Sequence, residues 1–190
     1  YSEQKWKDAA TAAKAVITAA ENSSEVRIAL YRNDENGDGT FNPYKSVRNV
    51  HLEKWNCEVL WAVTKCDANG FEKHACPRPG GWNGMAPTQR LVDAFYMANG
   101  YTIDDEEGGY VEEGFADEAH SNWLNDNVNE IRDGNSWGHR KGEWNMYANR
   151  EARFYASILY NGHPVLQVAA ADRDIYSSEK NKDGWGRVEL

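Results

Sequence analysis

Tryptophan rings on polar segments are the feature of this sequence best suited to contact with a ligand. The chain has eight Trp and ten Tyr among 190 residues. Five of the Trp stand among Gly, Asn, Asp and Ser, in segments without apolar periodicity; they are Trp82, Trp123, Trp137, Trp144 and Trp185. The apolar C–H face of a pyranose stacks on such a ring, while Asn, Asp, Arg and backbone groups bind its hydroxyls. Carbohydrate binding is one interpretation, and anchoring of long loops to the core is the other.

Trp82 is the first candidate for glycan contact. It lies in the run PGGWNG at residues 79–84, where glycines let a ligand approach both ring and backbone closely. Asn83 and Arg78 are placed to supply hydrogen bonds. The remaining predicted glycan contacts lie in the later part of the chain; they are Trp123, Trp137 and Trp144.

A calcium loop is a second candidate site. The run DENGDGT matches the start of an EF-hand loop, in which Asp34, Asn36 and Asp38 would be ligands and the Thr40 carbonyl would assist. The position that should carry a bidentate Glu is Lys45. A structural calcium ion and an ordinary Asx- and Gly-rich turn therefore both stay open. We expect no other cofactor.

The acidic segment at residues 104–118 contains eight carboxylates. Glycoside hydrolysis needs two of them facing one sugar, which sequence spacing cannot show, and a dense acidic run usually forms a solvated surface. The cluster of Asp117, Glu118 and His120 lacks the helix-borne His-Glu-x-x-His arrangement of a zinc site. No nucleophile elbow, phosphate loop or dinucleotide fingerprint is present. These features favour a binding protein over an enzyme.

Composition excludes several partners. The formal net charge of -9 argues against nucleic acid and anionic membrane surfaces. With 27% charged and 41% hydrophobic residues, the chain has the composition of a globular protein. No apolar run approaches the roughly 20 residues of a membrane-spanning helix. The three cysteines (Cys57, Cys66 and Cys76) lack paired zinc-ligand spacing, and we expect them to be structural.

The elements that would carry these residues are mostly helices joined by long loops. An alanine-rich apolar stripe with Ser2 as N-cap predicts a first helix, which must bury its stripe against partner helices. Residues 58–63 (EVLWAV) read as a buried or strand-like run, and residues 165–169 as a short strand. Residues 87–100 predict a helix capped by Thr88, with Leu91 and Phe95 on its apolar face. A further helix is predicted from Asn149 to a turn at residues 161–162.

Two of these segments carry a family resemblance. PTQRLVDAFYMANG at residues 87–100, followed by NMYANREARFYASILYNG at residues 145–162, resembles the SusD/RagB family of outer-membrane glycan-uptake proteins. The first helix and residues 55–63 look like two further family segments, in the same order. The family's Asp-Pro before Arg-Phe is Glu151-Ala152 here. Because family members are several hundred residues long, the resemblance implies an internal or truncated fragment.

The resemblance also implies a fold and a function. We expect a mostly α fold with long loops and a few short strands, as part of a SusD-like, TPR-like helical repeat. The whole chain, 1–190, would be one region: a scaffold helix at 1–20, a loop and strand region at 21–86, and family-motif helices at 87–190 with a long loop at 101–142. The implied protein is a lipid-anchored, extracellular component of the outer membrane. It would bind oligo- or polysaccharides without cleaving them and deliver them to a SusC-like TonB-dependent transporter. A glycoside hydrolase, and a structural helical-repeat subunit without glycan affinity, remain the alternatives.

Overall fold

The structure is a computed structural model that describes residues 2–24, 28–32, 40–63, 69–75, 82 and 84–164. In these ranges the chain is mostly helical with long loops, as expected. The few short strands are not found there: the described residues form only two isolated antiparallel bridges, which pair Met97 with Arg150 and Phe115 with Trp144. The predicted strand at residues 165–169 and Trp185 lie outside the described residues.

The first helix, α1, spans Glu3–Asn22. The Ser2 hydroxyl accepts a hydrogen bond from the Lys5 amide at 3.4 Å, which confirms the predicted N-cap. None of its residues is buried, and Trp6 and Ile17 on its apolar side are exposed. No helix in the described ranges combines the length and apolar character needed to cross a bilayer.

Helix α2 spans Pro43–Asn49, within a region that the sequence pattern indicated only as loop. The Asn42 side chain accepts from the Lys45 amide at 2.9 Å, and Pro43 occupies the first turn, where its missing N–H costs nothing. Tyr44 and Ser46 turn inward. Helix α3 spans Asn69–Ala75 and is also short. It lies in the same region, residues 21–86, for which the sequence predicted no helix.

The segment at residues 58–63 is neither buried nor a strand, so that prediction is wrong. Val59 is half-buried, whereas Leu60, Trp61 and Val63 are exposed, Trp61 to 84%. An isolated apolar run has no preference for a strand unless a neighbouring strand pairs with it. Among the described residues, no strand is present to do so.

Helix α4 is shorter than predicted and spans Gln89–Asp93. The Thr88 hydroxyl accepts from the Leu91 amide at 3.3 Å, as expected of the cap. The buried residue is Val92, however, and Leu91 is exposed, which corrects the predicted apolar face. Gly100 has a φ of +88°, so the expectation of a left-handed residue holds, although it lies in a turn beyond the helix.

The long loop from residue 101 to 142 is folded back on itself by backbone hydrogen bonds. The amides of Ala116, His120 and Asn145 donate to the carbonyls of Glu143 (2.8 Å), His139 (2.9 Å) and Gly114 (3.0 Å) respectively. Residues 114–122 therefore run antiparallel to residues 137–145. Helix α5 (Val128–Asp133) lies at the turn between them, and 3₁₀ turns occupy Glu106–Gly108 and Asn145–Tyr147.

Helix α6 spans Ala152–Ser157 and packs against α2. It starts later and ends earlier than predicted, because Asn149 has a φ of +53° and Ile158 is extended. Together with α4 these helices enclose the core, whose buried members are Tyr44, Val92, Phe154, Tyr155, Ile158 and Tyr160. Burial of each large side chain contributes about 1.5–3 kcal/mol. The core thus lies directly beneath the residues considered next.

Candidate functional site

The segments at residues 96–98 and 149–151 are paired with each other by backbone hydrogen bonds around the Met97–Arg150 bridge, and this pairing is called the clamp below. The Ala98 amide donates to the Asn149 carbonyl at 2.7 Å, and the Glu151 amide donates to the Tyr96 carbonyl at 3.0 Å. The Tyr96 amide in turn donates to a Glu151 carboxylate oxygen at 3.0 Å. These long-range hydrogen bonds explain why neither segment continues as helix at this point.

Arg150 holds the clamp from inside. Its side chain is 1% exposed, and it donates to the carbonyls of Val92 (2.8 Å), Phe95 (2.8 Å) and Met146 (3.0 Å). Two of these carbonyls lie at or just beyond the end of α4, where helix carbonyls lack helical partners. Burial lowers the pKa of Arg150, but a guanidinium remains charged at neutral pH. The role of Arg150 is to join the two segments.

Tyr155 extends the same network. Its hydroxyl accepts from the Arg150 amide at 3.1 Å and donates to the Tyr147 carbonyl at 2.7 Å. Burial raises the pKa of Tyr155, so the hydroxyl stays protonated and able to donate. His163 lies close by, with its Nε2 3.0 Å from the Tyr155 carbonyl.

A half-buried ion pair attaches the folded loop to the end of the described chain. Arg140 Nε donates to a Glu143 carboxylate oxygen at 2.9 Å, and a second guanidinium nitrogen donates to the Gly162 carbonyl. Burial raises the pKa of Glu143, while the hydrogen bonds and charge of Arg140 oppose that shift. The Tyr160 hydroxyl donates to the other Glu143 oxygen at 3.2 Å. This pair fixes the loop in place.

Two buried histidines lie where the antiparallel segments meet. His139 Nδ1 accepts from the Asn149 amide at 3.2 Å while its Nε2 is 3.1 Å from the Glu118 carbonyl, so the neutral ring with a proton on Nε2 satisfies both. His120 Nδ1 accepts from the Asn122 amide at 3.1 Å. Burial, and then the nearby His139, lower the pKa of His120 to about 4. Both histidines are neutral structural residues at physiological pH.

A groove of about 750 Å³ opens above this core. One wall is formed by Pro43 and Val47 of α2 and by Val50, which caps its C-terminal end, and the opposite side by the 120–122 turn and the start of α6. Its volume is within the range of small-molecule sites, roughly 300–1,000 Å³. The polar and aromatic side chains that line it include Tyr31, Phe41, Glu58, Ser121, Asn122, Trp137, Glu151 and Arg153. The groove thus brings polar and aromatic side chains together on one concave surface of the described residues.

Among the predicted glycan contacts that the structure describes, Trp137 alone lines this groove. Its ring is half-buried, parallel to the Tyr44 ring at a centroid distance of 5.8 Å and 5.1 Å from His120. Trp123 is also half-buried, with the Arg140 guanidinium 5.3 Å above its ring. Both rings thus have the loop-anchoring contacts that the sequence left as the alternative.

Trp82 and Trp144 are more accessible. Trp82 is 61% exposed, and its ring meets His74 edge-on at 4.7 Å. Trp144 is 36% exposed and forms an edge-on pair with the exposed Phe115 at 5.1 Å. These contacts fix the orientation of each ring while leaving part of it open. Asn83 and Arg78, the proposed partners of Trp82, lie outside the described residues, and all four tryptophans stay predictions as glycan contacts.

The calcium loop is only partly described. Asp34, Asn36 and Asp38 lie outside the described residues, and Thr40 is exposed. Lys45, at the position of the closing glutamate, lies in α2 with its side chain buried, and a Cβ on Gly134 would be 2.8 Å from its Cγ. Any cation at this loop would therefore be coordinated without that position. Calcium binding stays a prediction.

The acidic side chains at residues 104–118 are exposed, as a solvated surface requires, and none of them lines the groove. In the described ranges, no three His, Cys, Asp or Glu side chains are grouped closely enough to hold a metal ion. Cys57 is a half-buried free thiol, whereas Cys66 and Cys76 are outside the described residues.

Several groove residues escaped the sequence interpretation. The capping pair Asn42-Pro43 predicts the start of a helix, and recognising it would have brought Phe41 next to α2. Ser121 and Asn122 carry no such signal, because their place in the groove depends on the backbone pairing of residues 114–122 with 137–145. Tyr31 is equally dependent on distant contacts: its amide donates to a Glu58 carboxylate oxygen at 2.6 Å.

Comparison with known proteins identifies the family. The SusD family model, SusD/RagB, matches residues 32–188, which is most of the chain and includes both segments of the clamp. No curated protein and no solved structure matches the chain. Since the family model covers well over half of the sequence and the described fold is mostly helical with long loops, this chain belongs to the SusD family.

Proposed function

We propose that the protein captures glycans at the outer surface of a bacterial cell and delivers them to a SusC-like TonB-dependent transporter, without cleaving them. The match of the SusD family model to residues 32–188 carries this proposal. The family consists generally of non-catalytic binding proteins held at the outer membrane by a lipid anchor. Binding and delivery need no cofactor, although a structural calcium ion at residues 34–40 is compatible with the proposal.

The arrangement of side chains supports binding rather than turnover. The groove contains two carboxylates, Glu58 and Glu151. Glu58 accepts from the Tyr31 amide, and both oxygens of Glu151 accept from Arg153, at 2.7 and 2.8 Å. Such contacts position the surrounding chain. A glycosidase, by contrast, needs one carboxyl group free to protonate the leaving oxygen.

Titration calorimetry of the purified protein against a panel of polysaccharides tests glycan capture. We expect measurable heat and saturation with at least one of them. Uniform failure to bind, with a sample shown to be folded by circular dichroism, would contradict the proposal. The Trp82→Ala and Trp144→Ala variants report whether those accessible rings contribute, since neither ring belongs to the core cluster.

Hydrolysis is the second function to test, because Glu58 and Glu151 line one groove. Incubation with the bound polysaccharide should release no new reducing ends. Release that is abolished by Glu151→Gln or Glu58→Gln would establish a glycoside hydrolase instead.

A purely structural subunit is the third. It is favoured by the apolar side chains that α1 exposes, among them Val16 and Ile17, which are 42% and 50% exposed. Pull-down of a transporter by a protein that binds no glycan would support it.

A further inference from the structure

We infer that the groove beside Trp137 is the saccharide subsite of this protein and that it selects neutral oligosaccharides. The inference rests on the proposed glycan capture and adds the location and the class of sugar. It differs from the sequence interpretation, in which Trp82 was the leading contact.

The first argument is the combination of rings and unengaged polar groups. Phe41 is 43% exposed, and the Arg32 guanidinium lies 4.5 Å from its ring centroid. Ser121 and Asn122 are exposed at the rim, and within the described ranges their side chains make no hydrogen bond. A hydroxyl and a carboxamide offer both donors and acceptors. Sugar hydroxyls need such groups, and sugar C–H faces need the rings.

The second argument is rigidity. Trp137 is held by the parallel Tyr44 ring and by a backbone hydrogen bond from its amide to the Asn122 carbonyl at 3.2 Å. The backbone N–H of Asn122 in turn donates to His120 Nδ1, which leaves the Asn122 side chain unengaged by this contact. The ring and the polar rim thus belong to one rigid unit, and a ligand need not order them on binding. Preorganisation of this kind increases affinity by lowering the entropic cost of association.

The third argument is charge, and it decides the class of sugar. The Glu151 carboxylate is paired with Arg153, and the Arg150 guanidinium is turned inward to backbone carbonyls. Glu58 adds a negative charge to the groove, in a chain whose formal net charge is -9. The Arg32 guanidinium also stands beside the groove, where it lies over the Phe41 ring. Within the described ranges a uronic acid would still meet the charge of Glu58 and the net negative charge of the chain, which a neutral pyranose would not.

Calorimetry with hexasaccharides of glucan, mannan and xylan, and with the hexasaccharide of galacturonic acid, tests the inference. We expect at least one neutral hexasaccharide to bind and the acidic one to bind more weakly or not at all. Phe41→Ala and Asn122→Ala should each weaken binding of that neutral sugar by about tenfold, the loss typical of truncating a central contact. Phe41→Trp, which keeps a ring, should retain affinity to within about threefold.

Matched controls separate local from general effects. Phe71→Ala removes an exposed ring from α3, and Asn129→Ala removes an exposed amide from α5, both away from the groove. Both should bind as the wild type does. Circular dichroism and the thermal midpoint establish that each variant is folded. If Phe41→Ala is unstable, Asn122→Ala still tests the rim, because it lies on an exposed turn.

The outcomes are distinct for the two proposals. If no hexasaccharide and no polysaccharide binds, glycan capture itself fails and the subsite with it. If a neutral sugar binds but the groove variants keep wild-type affinity, glycan capture stands and the location is wrong. Loss of binding in Trp82→Ala or Trp144→Ala alone would place the site on those rings instead. A preference for the galacturonic acid hexasaccharide would overturn the assignment to neutral sugars.

Discussion

Replacement of Arg150 by Met should lower the stability of the scaffold. Arg150 donates to three backbone carbonyls from a position that is 1% exposed. Methionine is unbranched and apolar and fills much of the same space, so the variant tests the hydrogen bonds more than the volume. Met146 and Phe95 would lose the donor to their carbonyls, while the Val92 carbonyl still accepts from the Phe95 amide at 3.3 Å.

The magnitude follows from those carbonyls. A buried acceptor left without a donor costs about 1–3 kcal/mol, and because these two carbonyls are part-buried, the two together cost about 2–4 kcal/mol. Relief from burying a guanidinium offsets part of this, since the Arg150 Nε has no partner in the described structure. A net loss of about 2 kcal/mol is therefore expected, which lowers Tm by roughly 4–8 °C for a domain of this size.

Arg153→Met is the matched control, because it makes the same substitution three residues further along the same segment. The Arg153 side chain is 57% exposed and pairs with Glu151 at 2.7 Å, and an exposed pair of this kind contributes about 0.2–1 kcal/mol. Arg150→Lys adds a second comparison. It keeps the charge but not the planar fork, so it should lose most of what Arg150→Met loses.

Urea unfolding followed by tryptophan fluorescence, together with calorimetric Tm values, provides the measurement. The free energy of unfolding of Arg150→Met should be clearly below that of Arg153→Met. Equal stabilities, within about 0.5 kcal/mol, would refute the reasoning that Arg150 joins the two segments. A stable Arg150→Lys beside an unstable Arg150→Met would show that charge, rather than the directed hydrogen bonds, is what matters.

Three further predictions follow from the buried loop residues. Because the pKa of His120 is lowered from 6.5 to about 4, the unfolded chain takes up a proton first as pH falls; stability should be complete above pH 6.5 and fall by about 3 kcal/mol towards pH 4, as urea midpoints would show. His120→Gln should flatten that decline, and an unchanged slope would contradict it. The raised pKa of Glu143 acts with the opposite sign, because the folded chain binds this proton more tightly than the unfolded chain does. Burial of the charged carboxylate outweighs its contacts with Arg140. Relative to the wild type, Glu143→Gln should therefore be more stable at neutral pH than at pH 4. Gly138→Ala should cost more than 2 kcal/mol, as about 1 kcal/mol comes from a φ of +110° alone and a Cβ there would lie 2.7 Å from His120 Cβ; Gly142→Ala, with a φ of +83° and open space, should lose only about 1 kcal/mol, and equal thermal midpoints would exclude the clash.

Local signals in the sequence predicted the parts of the fold that depend on neighbouring residues. Ser2 and Thr88 cap their helices as expected, and Gly100 adopts a positive φ. Each of these depends on a side chain or backbone only a few residues away. The family resemblance, which also rests on local motifs, was confirmed by the family model.

The lengths of the helices could not be predicted in the same way. Residues 94–100 continue the apolar period of α4, yet the Ala98 amide donates to Asn149, more than fifty residues away. A long-range backbone hydrogen bond of this kind overrides the modest helix propensity of single residues. The same contact explains why α6 begins at Ala152 rather than at the predicted Asn149, which has a positive φ.

The groove depends on long-range contacts even more strongly. Phe41, Asn122 and Trp137 are far apart in the sequence and meet only because α2 packs on α6 and the long loop folds back beside them. Trp137 had been grouped with the other tryptophans by its polar neighbours, although the Tyr44 ring beside it makes it part of the core wall. The polar residues next to each tryptophan in the sequence therefore indicate which rings lie on loops, but not which of those rings share a surface.

The structure separates the residues that define the family from those that would define its ligand. Arg150 and Tyr155 direct their hydrogen bonds to backbone carbonyls and amides of the two motif segments. The Arg150 Nε, which has no partner in the described structure, is buried, so neither side chain offers an accessible group to a sugar. The groove, in contrast, is lined by Phe41, Ser121 and Asn122, whose substitution would disturb no buried hydrogen bond of that network. Relatives could therefore keep the two segments of the clamp and differ in the sugar that they bind. If this division is correct, exchanging the exposed residues Ser121 and Asn122 should alter sugar preference with little change in Tm, whereas changes at Arg150 should do the reverse.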